Sequence, residues 1–229
     1  MKDSDHLLER LARLDACAVS DACDRLALDG QVITGLDNLT GRQRVTGRTV
    51  PVQLGPPLPT PSSRHLCTAA IEAAGPGDVI VIAHQGRLDC AGWGGNLSRA
   101  ALARGVAGTI IHGAARDIDE AIDIGYPLYA SGATPRTARG RTQEHAWNVD
   151  IEIEGVTIQP RDLVVADTTG IVVIPAAHAE AIVDLATAIV QHEAAMAEAI
   201  ANGTPIGTVM GAIYEEMLLL HRSPPSAEP

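Results

Sequence analysis

Phenylalanine is missing from this 229-residue chain, and only two Trp and three Tyr supply aromatic rings. With so few flat side chains, a surface that stacks unpaired bases is not expected. Positive charge is also scarce, because 17 Lys and Arg face 28 Asp and Glu and leave a net charge of −11. A phosphate-backbone partner needs a basic face, and no run of Lys and Arg builds one, so no nucleic-acid partner is expected. A small anion stays compatible, since one well-placed arginine can outweigh the global field locally. Long apolar runs are absent as well: stretches such as residues 79–83 fall far short of the roughly 20 residues that span a bilayer, so no membrane partner is expected. Cys17, Cys23, Cys67 and Cys90 have neither the paired spacing of a zinc site nor the density of a disulfide scaffold, and reduced, structural thiols are expected. The polar residues 1–6 lead into an amphipathic segment and not into the apolar core of a signal peptide, which points to the cytoplasm.

Several catalytic motifs are also missing. There is no G-x-S-x-G, P-loop or G-x-G-x-x-G, and the eight histidines form no H-x-x-x-H or H-E-x-x-H pattern. Serine nucleophiles, nucleotide hydrolysis and the usual dinucleotide fold lose support accordingly.

What is present is a globular composition, 46 % apolar and 20 % charged. One α/β domain over residues 1–222 is expected, with 223–229 as a frayed tail. Helical spacing of Leu7, Leu8, Leu11 and Leu14 predicts a helix over residues 4–14, and Ser20 is placed to cap a second over 21–26. A strand is read at 49–54, a Pro-rich connection at 55–61, and a helix capped by Ser62 or Ser63 that ends near Ala74. Further strands are read near Leu128 and at 149–153, 163–166 and 171–174, with turns at Gly155 and Gly170 and helices over 118–124, 177–201 and 207–220.

The stretch from Asp78 to Asp117 carries the most information. A β-branched run at 78–83, a Gly-containing loop at 84–95, a helix at 96–104 stopped by Gly105 and a strand at 109–112 form a β-loop-α-β unit. If its strands are parallel, Gly94, Gly95, Asn96 and Leu97 at the helix start face Gly113 to Asp117 at the end of the second strand. Glycines there admit a ligand to N–H groups that a helix start leaves unpaired, although Gly-Gly before a helix is more often a plain turn. Arg116 can grip a carboxylate by two parallel hydrogen bonds and Asp117 can hold a hard cation; the other reading is a helix cap beside a solvated arginine. Glu193 falls within the apolar stripe Ile182, Leu185, Ile189, Met196 and Ile200, where it needs a partner. A salt bridge at a subunit contact and an indirect ligand to a neighbouring chain's metal both meet that need. His84 and His112 end predicted strands, as structural residues or as the border of a cleft.

Taken together, Gly77-Asp78-Val79-Ile80-Val81-Ile82, Trp93-Gly94-Gly95-Asn96-Leu97, Arg104-Gly105-Val106-Ala107-Gly108 and Gly113-Ala114-Ala115-Arg116-Asp117 resemble the RraA-like family. The family includes the 4-hydroxy-4-methyl-2-oxoglutarate and 4-carboxy-4-hydroxy-2-oxoadipate aldolases. The similarity extends from Val19-Ser20-Asp21-Ala22 to residues 160–167 and 170–175. It implies a swivelling β/β/α fold with C-terminal helices, assembled as homotrimers or hexamers with sites between subunits. It also implies a class II aldolase or decarboxylase, a lyase that cleaves a small 2-oxo acid through a pyruvate-type enolate with Mg²⁺ or Mn²⁺. By the same resemblance Asp117 matches the metal ligand, Arg116 the catalytic arginine that binds the oxo acid, and the N–H groups of Asn96 and Leu97 the donors to its carboxylate. Glu193 matches an acid reaching the metal through water from the adjacent subunit. The chain departs from the family at Gly95, where the aldolases carry Asp or Glu, and at His84 and His112, where aspartates are common and where either imidazole can supply a proton. The family also implies two alternatives: a regulator that binds a ribonuclease, and a lyase specialised for another substrate.

Overall fold

The computed structural model describes residues 2–41, 43–60 and 64–211. Among these the helices are α1 (Lys2–Leu11), α2 (Ala16–Arg25), α3 (Thr68–Ala73), α4 (Gly95–Ala103), α5 (Ile118–Asp123), α6 (Ala179–Ala201) and α7 (Ile206–Val209). The strands are β1 (Val32–Ile33), β2 (Asp37–Asn38), β3 (Val45–Gly55), β4 (Asp78–Trp93), β5 (Gly108–Ala115), β6 (Leu128–Ala133), β7 (Gln143–Trp147), β8 (Ile151–Ile153), β9 (Val156–Ile158), β10 (Leu163–Ala166) and β11 (Ile171–Ile174). The main sheet runs β1-β11-β10-β3-β4-β5-β6-β2, with β7 paired to β3, and β8 and β9 form a separate hairpin.

Period-two alternation decides what each face of the sheet meets. Ile80 and Ile82 of β4 point to a core shared with Ala70 and Ile71 of α3, Leu97 and Ala101 of α4, and Trp93. Their neighbours Val79, Val81 and Ala83 point the other way, onto Ile151, Ile153, Val156 and Ile158 of the hairpin. At the β10–β11 end, Leu163, Val165, Val172 and Ile174 meet α1, α2 and α6. The result is three layers, hairpin, sheet and helices, and the near-continuous Val/Ile runs of β4, β10 and β11 follow from burial on both faces.

The expected parallel β-loop-α-β unit is present: β4 pairs with β5 in parallel, and β5 with β6 likewise. Its anticipated loop over 84–95 is different. Strand β4 continues to Trp93 and stays paired to β5, advancing from Ala83 to Trp93 while β5 advances only from His112 to Ala115. The surplus residues are absorbed by bulges, the first containing Gln85 and Gly86 at φ 57° and 64°, so glycine here marks a break in register and not the end of the strand.

Other boundaries moved for local reasons. Helix α1 ends at Leu11, not at Leu14. Helix α2 begins at Ala16, five residues ahead of the expected start, because Asp15 is the cap: its carboxylate accepts from the N–H of Ala18. Helix α3 begins at Thr68, behind Cys67 in a left-handed conformation, while Ser62 and Ser63 lie outside the described residues. The strand expected over 149–153 is only Ile151–Ile153, and β7 and β9 were not anticipated. A short 3₁₀ turn, Ala176–His178, precedes α6. Helix α7 starts at Ile206 and ends at Val209, and Met210 and Gly211 have already left the helix expected to run to residue 220; residues 212–220 and the tail at 223–229 lie outside the described residues.

Candidate functional site

Strands β4 and β5 end side by side, and the chain enters α4 after one and α5 after the other. The N–H of Arg116 donates to the carbonyl of Trp93 at 3.0 Å, which ties the two exits together. Trp93 is itself fixed: its ring is buried, stacks on Tyr126 with centroids 6.3 Å apart, and donates from Nε1 to Ser98 Oγ at 2.9 Å. The aromatic anchor therefore sets where the first turn of α4 lies.

That first turn has no cap of its own. Gly94 is extended and offers no side chain, so the N–H groups of Gly95, Asn96 and Leu97 begin unpaired. Asp117 meets one of them: its Oδ2 accepts from Gly95 N–H at 3.0 Å and from Arg116 Nε at 3.1 Å. Asp117 stands at the cap position of α5 at φ 58° and ψ 42°, yet makes no side-chain bond to that helix. The carboxylate is turned toward α4, and the simple cap reading of Asp117 is not what the geometry shows. The Gly95 N–H holds the Asp117 carboxyl below the usual carboxylate range; partial desolvation opposes this, and Arg116 reinforces it.

Three sets of groups stay free for a ligand among the described residues: the N–H groups of Asn96 and Leu97, Oδ1 of Asp117, and the two terminal nitrogens of Arg116. All border one cleft of about 450 Å³ that is also lined by Gly94, Gly95, His65 and Arg139. The sequence-predicted Gly94, Gly95, Asn96, Leu97, Arg116 and Asp117 thus come together. The other candidates do not join them. His84 is buried and bonds through Nε2 to the carbonyl of Cys90 at 3.1 Å, and desolvation pushes its imidazole below the usual histidine range. His112 pairs through Nε2 with Glu154 at 2.7 Å, at the tip of the hairpin. Glu193 lies in the exposed second half of α6, and the buried part of that stripe stops at Ile189.

Sequence reasoning missed the opposite wall, His65, Leu66, Thr137, Ala138 and Arg139. A signal was available in Arg136, Arg139 and Arg141, three arginines within six residues of an acidic chain. It also missed Glu120. A β-carbon on Gly95 would lie 2.0 Å from Glu120 Oε2, so the carboxylate of Glu120 fills the space an acidic side chain at position 95 would enter. The other oxygen of Glu120 pairs with Arg99 Nε.

Residues that hold a hard cation are also testable here. Among the described residues no group of three or more His, Cys, Asp or Glu converges, so no closed protein cage exists. A single carboxylate oxygen left free by its neighbours suits a cation that keeps most of its water shell, as Mg²⁺ does.

Known proteins share this arrangement of chain. The family model for RraA-like proteins, described as Aldolase/RraA, matches residues 16–173. The 4-hydroxy-4-methyl-2-oxoglutarate aldolase of Thermus thermophilus is 31 % identical over 137 residues, covering 59 % of this chain and 78 % of that protein. Protein DlpA of Legionella pneumophila is 29 % identical over 201 residues, covering 88 % of this chain; the chain spans only 32 % of the length of DlpA. The crystal structure of Streptomyces coelicolor RraAS2, described as an unusual member of the RNase ES inhibitor RraA protein family, superposes with a TM-score of 0.75 at 29 % identity, over 82 % of this chain and 93 % of that one. The chain therefore belongs to the RraA-like family and has its mixed α/β swivelling fold.

Proposed function

We propose that this chain is a divalent-metal-dependent lyase that cleaves a small 2-oxo acid in the cytoplasm, as an aldolase, a decarboxylase or both. The observation that carries the reading is the convergence of Arg116, the free oxygen of Asp117 and the open N–H groups of Asn96 and Leu97 on one cleft. The name of the Thermus relative supports the substrate class.

In this reading the N–H groups of Asn96 and Leu97 receive the substrate carboxylate at the positive end of α4. The terminal nitrogens of Arg116 donate to the 2-oxo oxygen and its neighbour, holding the scissile bond across the delocalised system. When the C3–C4 bond breaks, its electron pair passes into C3 and the 2-oxo group as a pyruvate enolate; from oxaloacetate the C4 carboxylate departs as carbon dioxide, and from a 4-hydroxy substrate the C4 hydroxyl gives its proton to solvent water and C4 departs as a carbonyl compound. A proton then returns to C3. Asp117 would hold Mg²⁺ or Mn²⁺, which would supply electrophilic stabilisation for the developing oxyanion. Glu193 of a neighbouring subunit, in a homotrimer or hexamer, would reach the same ion through water.

The test is pyruvate release from oxaloacetate and from 4-hydroxy-4-methyl-2-oxoglutarate, with Mg²⁺ or Mn²⁺ and with EDTA. Turnover abolished by EDTA and restored by metal is expected; turnover indifferent to EDTA would overturn the reading. A second reading, a regulator that binds a ribonuclease, is favoured by the description of RraAS2. Tight binding to a ribonuclease by a chain with no turnover would prefer it.

A further inference from the structure

A 4-hydroxy substrate asks one thing of the site that oxaloacetate does not: its C4 hydroxyl must lose a proton as the C3–C4 bond opens. Among the described residues, the titratable side chains that line the cleft are His65, Arg116, Asp117 and Arg139. A guanidinium does not give up its proton in a protein, which removes both arginines. Asp117 has an oxygen on the Gly95 N–H and Arg116, and these contacts hold its carboxyl below the usual range, where it is a poor proton acceptor. Imidazole takes and releases protons near neutrality, and His65 is the group that remains.

The backbone of His65 is held and its ring is not. Its carbonyl accepts from Thr68 Oγ1 at 2.7 Å and from the Thr68 N–H at 3.4 Å, at the start of α3. Two residues on, Cys67 is buried in a left-handed conformation and donates its N–H to Glu144 Oε2. The residue itself is exposed, and neither ring nitrogen has a partner among the described residues. Charged groups surround it: Arg64 precedes it in the chain, and Arg139 and Glu144 of β7 join it in lining a second cavity of about 390 Å³ behind the same wall. Burial raises the Glu144 carboxyl, while the Cys67 N–H, Arg64 and His65 pull it down, so carboxylate and imidazole feel each other. A proton taken up by the ring therefore meets a carboxylate on one side and solvent on the other.

With the substrate carboxylate on Asn96 and Leu97 and the 2-oxo oxygen on Arg116, the β4–β5 side of the cleft is spent on the pyruvyl half, and C4 is left to the wall that carries His65. We propose that His65 is the general base of aldol cleavage. The water that receives the C4 hydroxyl proton passes it to a ring nitrogen of His65, and the O–H electron pair becomes the second bond of the C4 carbonyl. The C3–C4 pair leaves as the enolate, and the imidazolium then returns its proton to solvent. In oxaloacetate no proton leaves C4, so His65 has no part in that bond cleavage. The proposal rests on the lyase reading above and adds a residue that separates its two reactions.

The experiment compares wild type with His65→Ala and His65→Gln on 4-hydroxy-4-methyl-2-oxoglutarate and on oxaloacetate, with Mg²⁺ and with EDTA. In both variants kcat for the 4-hydroxy acid falls about a hundredfold, while kcat for oxaloacetate stays within about threefold. Added imidazole restores part of the lost turnover in His65→Ala, and only for the 4-hydroxy acid. Binding is read separately from turnover. The C2 proton resonance of His65, assigned by its absence in His65→Gln, moves when pyruvate and Mg²⁺ are added, and calorimetry gives His65→Ala a Kd for pyruvate within about threefold of wild type. Equal losses on both substrates would overturn the proposal, because they would mark a structural role or one in returning the proton to C3. An unchanged kcat for the 4-hydroxy acid, or a His65 resonance indifferent to pyruvate, would overturn it too. A wild type that decarboxylates oxaloacetate but leaves the 4-hydroxy acid intact would remove the base and leave the lyase reading standing. A wild type with no EDTA-sensitive turnover of either substrate would remove the lyase reading, and the proposal with it.

Discussion

Two helices in this molecule begin beside an aspartate brought from elsewhere in the chain, and they use it differently. At α2, Asp15 accepts from the N–H of Ala18 at 2.8 Å, and Asp167, from the turn between β10 and β11, accepts from the N–H of Ala16 at 2.9 Å. Most of that helix start is consumed, and below it Ala18, Val19 and Ala22 pack into an apolar core. At α4, Asp117 takes only the first N–H, no side chain stands at the cap, and the next two N–H groups open on a cleft. The same unsatisfied donors become structure where they are filled and a binding site where they are left over. The difference lies in the side chains at hand: Asp15 at one cap and glycine at the other.

If that contrast is correct, substitutions at the two aspartates should separate activity from stability. The largest effect is expected for Asp117→Ala, which removes the proposed cation ligand and frees the Gly95 N–H: kcat/KM should fall by about 10²–10³, and a variant with wild-type turnover of oxaloacetate would break the comparison. Next, Arg116→Lys keeps the charge but loses the two-pronged donor, and about a tenfold loss in kcat/KM is expected; full activity would show that a point charge suffices there. At the other helix, Asp15→Ala should cost about 1 kcal/mol, or about 2–4 °C in Tm for a chain of this size, with kcat and KM unmoved. A kinetic defect in Asp15→Ala would mean that the two helix starts are coupled.

Acid stability gives a smaller and more local signal. The folded-state pKa of Asp117 is depressed, so its contribution is present above the unfolded value and is lost as pH falls through the lower folded one. Tm measured below about pH 4 should therefore decline less steeply in Asp117→Asn than in wild type, and parallel curves would show that the Gly95 contact is not formed in solution. The smallest effect is expected for His112→Ala. Its imidazole pairs with Glu154 away from the cleft, so the pH–rate profile should stay as it is; a displaced profile would draw His112 into the reaction.

The mixed α/β order, the β-loop-α-β unit and, given parallel strands, the meeting of Gly94–Leu97 with Arg116 and Asp117 were legible because each rests on local pattern: β-branched runs, a glycine stop and the short path between strand ends; the layering followed only from the family resemblance. The continuation of β4 was not, since Gln85 and Gly86 look like a loop until the pairing partner on β5 is known. The cap of α2 was misplaced because Asp15 and Ser20 are both good caps, and only the packed helix distinguishes them. Residues of the opposite wall, from His65 to Arg139, come from segments that fold back across the sheet, and sequence distance hides that. Glu120 was invisible for a related reason: it fills the space left by the missing side chain of residue 95.

The order of the sheet also constrains how the chain can be made. Strand β3 lies between β4, which follows it closely, and β10, whose Leu163 pairs with Arg48 across more than a hundred residues. As the chain leaves the ribosome, the parallel core β3-β4-β5-β6 can assemble with one edge of β3 still unpaired and part of the sheet still bare. The Val52–Gly55 part of that edge is taken by β7, but the Val45–Arg48 part is closed only when Leu163–Ala166 emerges, so a nascent chain halted before residue 163 would present a sticky margin to its neighbours and to chaperones.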